Sequence, residues 1–193
     1  MKLSPEILFF LIFMLSIFGI GVNVLKNKNI KRTNQSEYVQ EIGGQLDAIL
    51  SEYGADRVAL YKFSEYNEHM VGFIKYKKIS CYSESVKQGI TPKCYIYQNI
   101  PTLLMARYFK VFNRADTLFV SNYKTLKNPN IRYMMNMLNC KSLYSILIRD
   151  NNNLGIGLLT LQFIKKSKKI TNFNDLHETA SGAKYLFLKE RRK

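Results

Sequence analysis

The chain has 193 residues, of which 47% are hydrophobic and 13% aromatic, and this content excludes a disordered tail. The length allows about one ordinary domain behind a short N-terminal segment. A net charge of +15 favours an anionic neighbour, either a lipid surface or a nucleic acid, although lysines that merely solvate the surface explain the excess equally well.

The first element is an apolar run, Ile7–Leu25, that carries no charge. At about 1.5 Å per residue, a helix of this length just crosses the roughly 30 Å hydrocarbon core of a bilayer. A cleaved signal peptide is the rival interpretation, but this apolar core is longer than usual and no small-x-small cleavage site follows it. The run therefore predicts one transmembrane helix behind a short tail, residues 1–6.

A basic linker, residues 26–35, follows the apolar run. Its positive charges, which form a candidate membrane-surface site on anionic headgroups, are Lys26, Lys28, Lys31 and Arg32. Before the run stand only the amino terminus, Lys2 and an opposing Glu6. The positive-inside rule then predicts a single-pass inner-membrane protein whose C-terminal domain is cytoplasmic.

Residues 36–193 alternate between helical and strand periodicities. The predicted elements are a helix from Ser36 to Tyr53, strands over Asp56–Phe63 and within Met70–Ser83, a helix over Ile100–Phe112, a strand over Thr117–Ser121, a helix over Asn130–Leu138, strands over Ser142–Arg149 and Leu154–Ile164, and a helix from about Asn174 to Glu190. Gly54 ends the first helix, and the turn formers of Asp150–Asn153 join the last two strands as a hairpin. This order predicts an α+β fold with one antiparallel sheet flanked by helices.

Two segments resemble the GAF fold, a ligand-sensing relative of the PAS domain. The entry to the first strand, Ile49–Phe63, reads ILSEYGADRVALYKF, and the closing hairpin, Ser142–Phe163, carries Gly155 and Gly157 after its turn. The resemblance covers about residues 36–190 and implies a sensory, non-catalytic domain. Motifs of its chromophore and cyclic-nucleotide subfamilies, a Cys-His pair and an Asn-Lys-x-x-Phe-Asp-Glu string, are absent, so no cofactor is expected.

The GAF resemblance also implies a ligand pocket between the sheet and the helices of the middle connection. The polar and aromatic residues predicted to line it are Tyr76, Ser80, Tyr82, Arg107 and Tyr133. Packing in the core explains the tyrosines equally well.

The cysteines and histidines predict neither a catalytic nor a metal site. Cys81, Cys94 and Cys140 form no Cys-x-x-Cys pair, and His69 and His177 lie far apart. An odd number of cysteines fits free thiols in a reducing compartment, although a disulfide between Cys81 and Cys94 outside the cytoplasm stays open.

The segment Gly54–Phe63 (GADRVALYKF) and the final hairpin and helix, behind one N-terminal membrane helix, also resemble the single-pass holins of T4-type bacteriophages. Those holins place the globular domain in the periplasm, whereas the charges of Lys26–Arg32 predict the cytoplasm. Basic clusters at Lys165–Lys169 and Lys189–Lys193 make nucleic-acid binding conceivable, but attraction to headgroups or simple solvation explains them better. The sequence therefore predicts a membrane-anchored, homo-oligomeric, non-enzymatic GAF-like module that binds a small ligand or a partner protein. A holin-like lysis protein and a nucleic-acid-tethering protein are the alternatives.

Overall fold

The computed structural model describes residues 40–70, 72, 74–113, 115–127, 129–164 and 174–191. They belong to one compact unit, Glu41–Lys193, apart from residue 40. The predicted transmembrane run Ile7–Leu25 and the linker cations Lys26, Lys28, Lys31 and Arg32 lie outside the described residues. Within the described part of the chain, no helix combines the length and the apolar character needed to cross a bilayer.

The described residues form a six-stranded antiparallel sheet with helices, which confirms the predicted α+β class. The elements are α1 (residues 40–53), β1 (Arg57–Tyr66), β2 (Tyr76–Val86), β3 (Ile100–Pro101), α2 (Ala106–Phe109), β4 (Thr117–Val120), α3 (Pro129–Met137), β5 (Ser142–Arg149), β6 (Gly155–Phe163) and α4 (Asn174–Arg191). The strands lie in the order β3-β2-β1-β6-β5-β4.

Both faces of the central strands are covered, and every residue of β6 is buried. On one face, α1 is tied to β2 by a 2.6 Å hydrogen bond from Ser85 Oγ to Asp47 Oδ1. Helical spacing places an apolar stripe on α4, and all of its residues are buried: Leu176, Ala180, Ala183, Leu186 and Phe187. The Phe187 ring packs edge-on against Tyr82, with centroids 5.4 Å apart. On the other face, α2 lays Phe109 against Phe63 at a centroid distance of 5.5 Å.

The turns follow the predicted residue chemistry. Gly54 ends α1 with φ +60°, a conformation that glycine adopts without steric cost. Asp150 Oδ1 accepts the N–H groups of Asn152 and Leu154, each at 2.9 Å, and so fixes the hairpin between β5 and β6. The hairpin between β1 and β2 is also present, but β2 begins at Tyr76 rather than near Met70.

The predicted helix over Ile100–Phe112 is wrong. Ile100 pairs with Ile79 in the sheet, and the following residues form a 3₁₀ turn, the four-residue α2 and a second 3₁₀ turn. A residue before proline avoids the helical region, so Pro101 holds Ile100 extended. The Thr102 hydroxyl then donates to Tyr76 O at 2.6 Å, which anchors the chain to β2 before a helix can begin.

Gly157 permits the close approach of α4 to the sheet. A Cβ atom there would lie 2.5 Å from both a Phe187 ring carbon and the backbone oxygen of Tyr61. We expect Gly157→Ala to lower the free energy of unfolding by about 3 kcal/mol, because the backbone atom cannot move aside. Gly182→Ala in α4 is the control: its Cβ would meet Gln45 at an ordinary 3.5 Å, and the better helix propensity should raise stability by about 0.5–1 kcal/mol. Urea unfolding of both variants, followed by circular dichroism, measures the difference, and equal effects would contradict the packing argument.

Candidate functional site

A cavity lies between the sheet and the segments that cover it. Strands β1, β2, β5 and β6 form its floor, and the loop of residues 87–99, β3 and the residues around α2 and α3 form its cover. The lining residues are Tyr61, Ile79, Tyr97, Ile100, Met105, Tyr108, Leu138, Leu143, Leu158, Thr160 and Gln162. Its walls are therefore mainly aliphatic side chains and tyrosine rings.

The space inside this cavity is small. Its volume is about 30 Å³, which accommodates only a few water molecules. A tetrapyrrole does not fit this space in the present conformation. A ligand of more than a few atoms would require the covering loop to move.

A buried guanidinium is hydrogen-bonded to Gln162, one of the residues that line the cavity. Arg57, at the start of β1, is 1% exposed, and its Nε lies 2.9 Å from Glu84 Oε1. Its Nη1 donates to Gln162 Oε1 at 2.8 Å and to Leu138 O at 3.2 Å, and its Nη2 donates to Thr91 O at 2.9 Å. One side chain therefore joins β1, β2, β6, the end of α3 and the covering loop.

Glu84 and a disulfide hold the covering loop. Glu84 Oε2 accepts the backbone N–H groups of Lys93 at 2.7 Å and Cys94 at 2.8 Å. Cys94 is bonded to Cys81 of β2, and the Cys81 N–H donates to Tyr97 O at 2.7 Å. These contacts fix the position from which Tyr97 reaches the cavity.

Three tyrosine hydroxyls and one thiol in and near the cavity keep their protons at neutral pH. Burial raises the pKa of Tyr61, Tyr97 and Tyr108 above the usual value near 10, and the Tyr108 hydroxyl is hydrogen-bonded to Ser145 Oγ. Burial likewise raises the pKa of the Cys140 thiol to about 12. None of these four groups can act as a base or a thiolate nucleophile near neutral pH.

The raised pKa of Cys140 predicts a loss of stability in alkali. An unfolded thiol ionises near pH 9, whereas the folded thiol keeps its proton until about pH 12, so the stability that it contributes is complete below pH 9 and is lost across that window. We expect a slope of about −1.4 kcal/mol per pH unit from this group in urea unfolding. The raised pKa values of the tyrosines add to the loss above pH 10. Cys140→Ala should remove the fall in the free energy of unfolding just above pH 9 and leave the fall that the tyrosines cause above pH 10. An unchanged pH dependence would contradict the assignment of the first fall to Cys140.

The residues predicted to bind a ligand occupy several environments. Tyr76 is buried and stacks on Phe63 with ring centroids 6.2 Å apart. Ser80 Oγ accepts a backbone N–H from the covering loop at 2.8 Å. Tyr82 packs against Phe187 of α4, on the face away from the cavity.

The other two predicted ligand residues lie in the covering segments. Tyr133 is 67% exposed on α3, and Arg107 belongs to α2, although its side chain lies outside the described residues. The structure does not bring the five residues together, and their role in ligand binding stays a prediction.

Sequence reasoning did not find the buried ion pair between Arg57 and Glu84. Glu84 lies one residue beyond the predicted strand Met70–Ser83 and showed no partner in a motif. Arg57 lies within Ile49–Phe63, the segment that resembles the GAF entry, and no role is predicted for it there. The available signal was the presence of charged residues within otherwise buried strands, since such residues are almost always paired.

Metal-binding and nucleic-acid sites find no further support in the described residues. Within the described ranges, no three His, Cys, Asp or Glu side chains come together in a way that could hold a metal ion. The basic cluster Lys165–Lys169 lies outside those ranges, as do the last two residues of Lys189–Lys193.

No protein-family model matches the chain, and no curated protein matches it in sequence. Solved structures do match its fold. The chromophore-binding domain of a bacteriophytochrome from R. palustris aligns with a TM-score of 0.61 at 11% identity, covering 81% of this chain and 57% of that one. The chain thus spans little more than half the length of that relative.

Two matching structures are single GAF domains of similar length. One is the GAF domain region of a protein from Geobacter sulfurreducens, with a TM-score of 0.57, 17% identity, and coverage of 82% of this chain and 97% of that chain. The other is the blue-light-absorbing form of the PixJ GAF domain from Thermosynechococcus elongatus, with a TM-score of 0.57, 12% identity, and coverage of 82% and 87%. The described residues therefore have a GAF-like fold.

Proposed function

We propose that the chain is a membrane-tethered, non-enzymatic sensory module that binds a small, mainly apolar ligand. The cavity carries this proposal, because its walls are mainly apolar and its polar lining residues Gln162 and Thr160 are already hydrogen-bonded within the protein. Arg57 donates to Gln162, Leu138 and Thr91, so a ligand would be held by shape and apolar contact. The tether is the predicted transmembrane run Ile7–Leu25.

A comparison of probes tests the ligand site. Xenon, benzene and indole form a series of apolar molecules of increasing size, and small dry cavities accept such molecules. We expect the smallest probes to raise the melting temperature of the full chain by a few degrees at saturating concentration. Leu158→Phe, which fills the cavity, should abolish this shift, whereas the matched Thr160→Val should retain it. No shift for any probe, or the same shift in Leu158→Phe, would remove the ligand site.

The side of the membrane that the domain occupies is open to measurement. The cations Lys26, Lys28, Lys31 and Arg32 predict a cytoplasmic domain, whereas a disulfide between Cys81 and Cys94 favours an oxidising compartment. Fusions of alkaline phosphatase and of a fluorescent protein to the C-terminus report the two sides separately, because each is active on one side of the inner membrane.

The disulfide also favours a second candidate function, a holin-like lysis protein whose globular domain lies in the periplasm. In that case the membrane helix would assemble into a pore, and the domain would control when it opens. Induced expression should then collapse the membrane potential abruptly. A maintained potential at high expression would argue against a pore and leave the sensory module.

A further inference from the structure

Four exposed apolar side chains form a surface that we call the Leu103 patch. Leu103 is 79% exposed, Tyr95 71%, Leu104 55% and Ile96 43%. Tyr95 and Ile96 belong to the covering loop, and Leu103 and Leu104 to the 3₁₀ turn that follows β3. Single exposed apolar residues are ordinary, but four on two neighbouring segments form a concentration that a soluble surface usually avoids.

The backbone holds the two segments one after the other along β2. Tyr97 O accepts from the Cys81 N–H at 2.7 Å, and Ile100 pairs with Ile79. Thr102 and Met105, which flank the leucine pair, are buried. The inward anchoring of these neighbours turns Leu103 and Leu104 outward together, at the β3 edge of the sheet.

The charge around the patch indicates an anionic partner. Lys93 precedes Tyr95 in the covering loop, Lys110 follows α2, and Lys77 is exposed on β2, while the whole chain carries a net charge of +15. Leucine and tyrosine side chains with lysines on the same and adjoining segments are a composition that inserts into the interface of an anionic bilayer. Lysines near such a surface gain further attraction from acidic headgroups.

The length of the linker brings the patch within reach of a bilayer, a step that rests on the tether of the proposed function. If Ile7–Leu25 spans the membrane, residues 26–39 reach at most roughly 50 Å, at about 3.5 Å per residue. A lipid surface is then present at high effective concentration, so weak insertion of a few side chains suffices for contact. We propose that the Leu103 patch rests on the anionic lipid bilayer to which the chain is tethered.

The chain contains no tryptophan, which makes a single introduced tryptophan a clean reporter. The full chain carrying Leu103→Trp is reconstituted into vesicles of phosphatidylcholine and phosphatidylglycerol, with or without brominated acyl chains. The control is Phe119→Trp on β4, at the opposite edge of the sheet, where the native ring is 40% exposed. We expect brominated lipid to quench about half of the Leu103→Trp emission and to leave the control nearly unchanged, because insertion places the ring roughly 5–10 Å into the interface.

Equal, weak quenching of the two variants would overturn the proposal. A second outcome would also overturn it: Leu103→Trp emission that is blue-shifted, is not quenched by brominated lipid, and returns to longer wavelength on dilution. This result would assign the patch to a contact with a second copy of the chain. Extraction with alkaline carbonate tests the tether separately. A chain released by carbonate lacks the tether. Quenching is then measured after that chain is added to preformed vesicles. Failure of the tether is thereby distinguished from failure of the patch to contact lipid.

Discussion

Arg57→Met is expected to lower the free energy of unfolding by about 3–5 kcal/mol, the largest effect of any single substitution proposed for this chain. The Arg57 and Glu84 side chains are 2% and 5% exposed, so neither can be resolvated without opening the domain. Removing the guanidinium leaves a buried carboxylate without its ion-pair partner. It also removes the donor to Leu138 O and Thr91 O, which releases the end of α3 and the covering loop from β1.

A double-mutant cycle separates the charge from the packing. Glu84→Gln keeps an oxygen that can accept the backbone N–H groups of Lys93 and Cys94 but carries no charge. We expect Arg57→Met combined with Glu84→Gln to be more stable than Arg57→Met alone by about 1–2 kcal/mol, because no unpaired charge remains. If the effects of the two substitutions on the free energy of unfolding simply add, the cost of Arg57→Met comes from lost packing alone.

Arg149→Met provides the matched control. Arg149 also pairs with a carboxylate, with its Nε 2.7 Å from Asp116 Oδ1, and donates to the backbone oxygens of Asn153 and Phe112. Asp116, however, is 54% exposed, and water can replace the lost partner. We expect a loss of only about 1 kcal/mol in urea unfolding of the full chain in mild detergent. A loss as large as that of Arg57→Met would contradict the importance of burial.

The elements that were predicted correctly have local causes. The strands β5 and β6 are apolar runs joined by four turn-forming residues, and the observed bounds of β5, Ser142–Arg149, are the predicted ones. The stripe of α4 and the stop at Gly54 likewise follow from residue spacing and from one glycine. Pro101 is also a local signal, but an ambiguous one: proline is common at helix starts, which favours the predicted helix over Ile100–Phe112, whereas its effect on Ile100 favours a strand.

The candidate site could not be predicted, because it depends on the register in which β1 pairs with β2. Between Leu60 and Tyr61 the pairing of β1 with β2 shifts, and Tyr82 is the extra residue on β2. This bulge reverses the alternation that a sequence count assumes, so Tyr82 turns toward α4 and Glu84 faces Arg57. No local pattern reports a bulge of this kind, so the sequence could not show that Tyr82 and Glu84, two positions apart, face opposite sides of the sheet.

Reduction of the disulfide between Cys81 and Cys94 should lower the free energy of unfolding by about 3 kcal/mol, because the bond closes a short loop in the unfolded chain. Hydrogen exchange should rise most in residues 87–99, which the bond fastens to β2. The variant Cys81→Ser with Cys94→Ser should show the same stability with and without reductant. Cys140→Ala should respond to reductant as the wild type does, since Cys140 is a free thiol.

Counting thiols in intact cells links this bond to the location of the domain. After acid quenching and denaturation, a chain with the disulfide offers one thiol to an alkylating reagent, and a reduced chain offers three. One thiol per chain would place the domain in an oxidising compartment, against the prediction from Lys26–Arg32. Three thiols would agree with a cytoplasmic domain, whose covering loop would then depend on Glu84 rather than on the disulfide. The same measurement therefore decides between the sensory module predicted on the cytoplasmic side and the periplasmic domain that a holin-like protein requires.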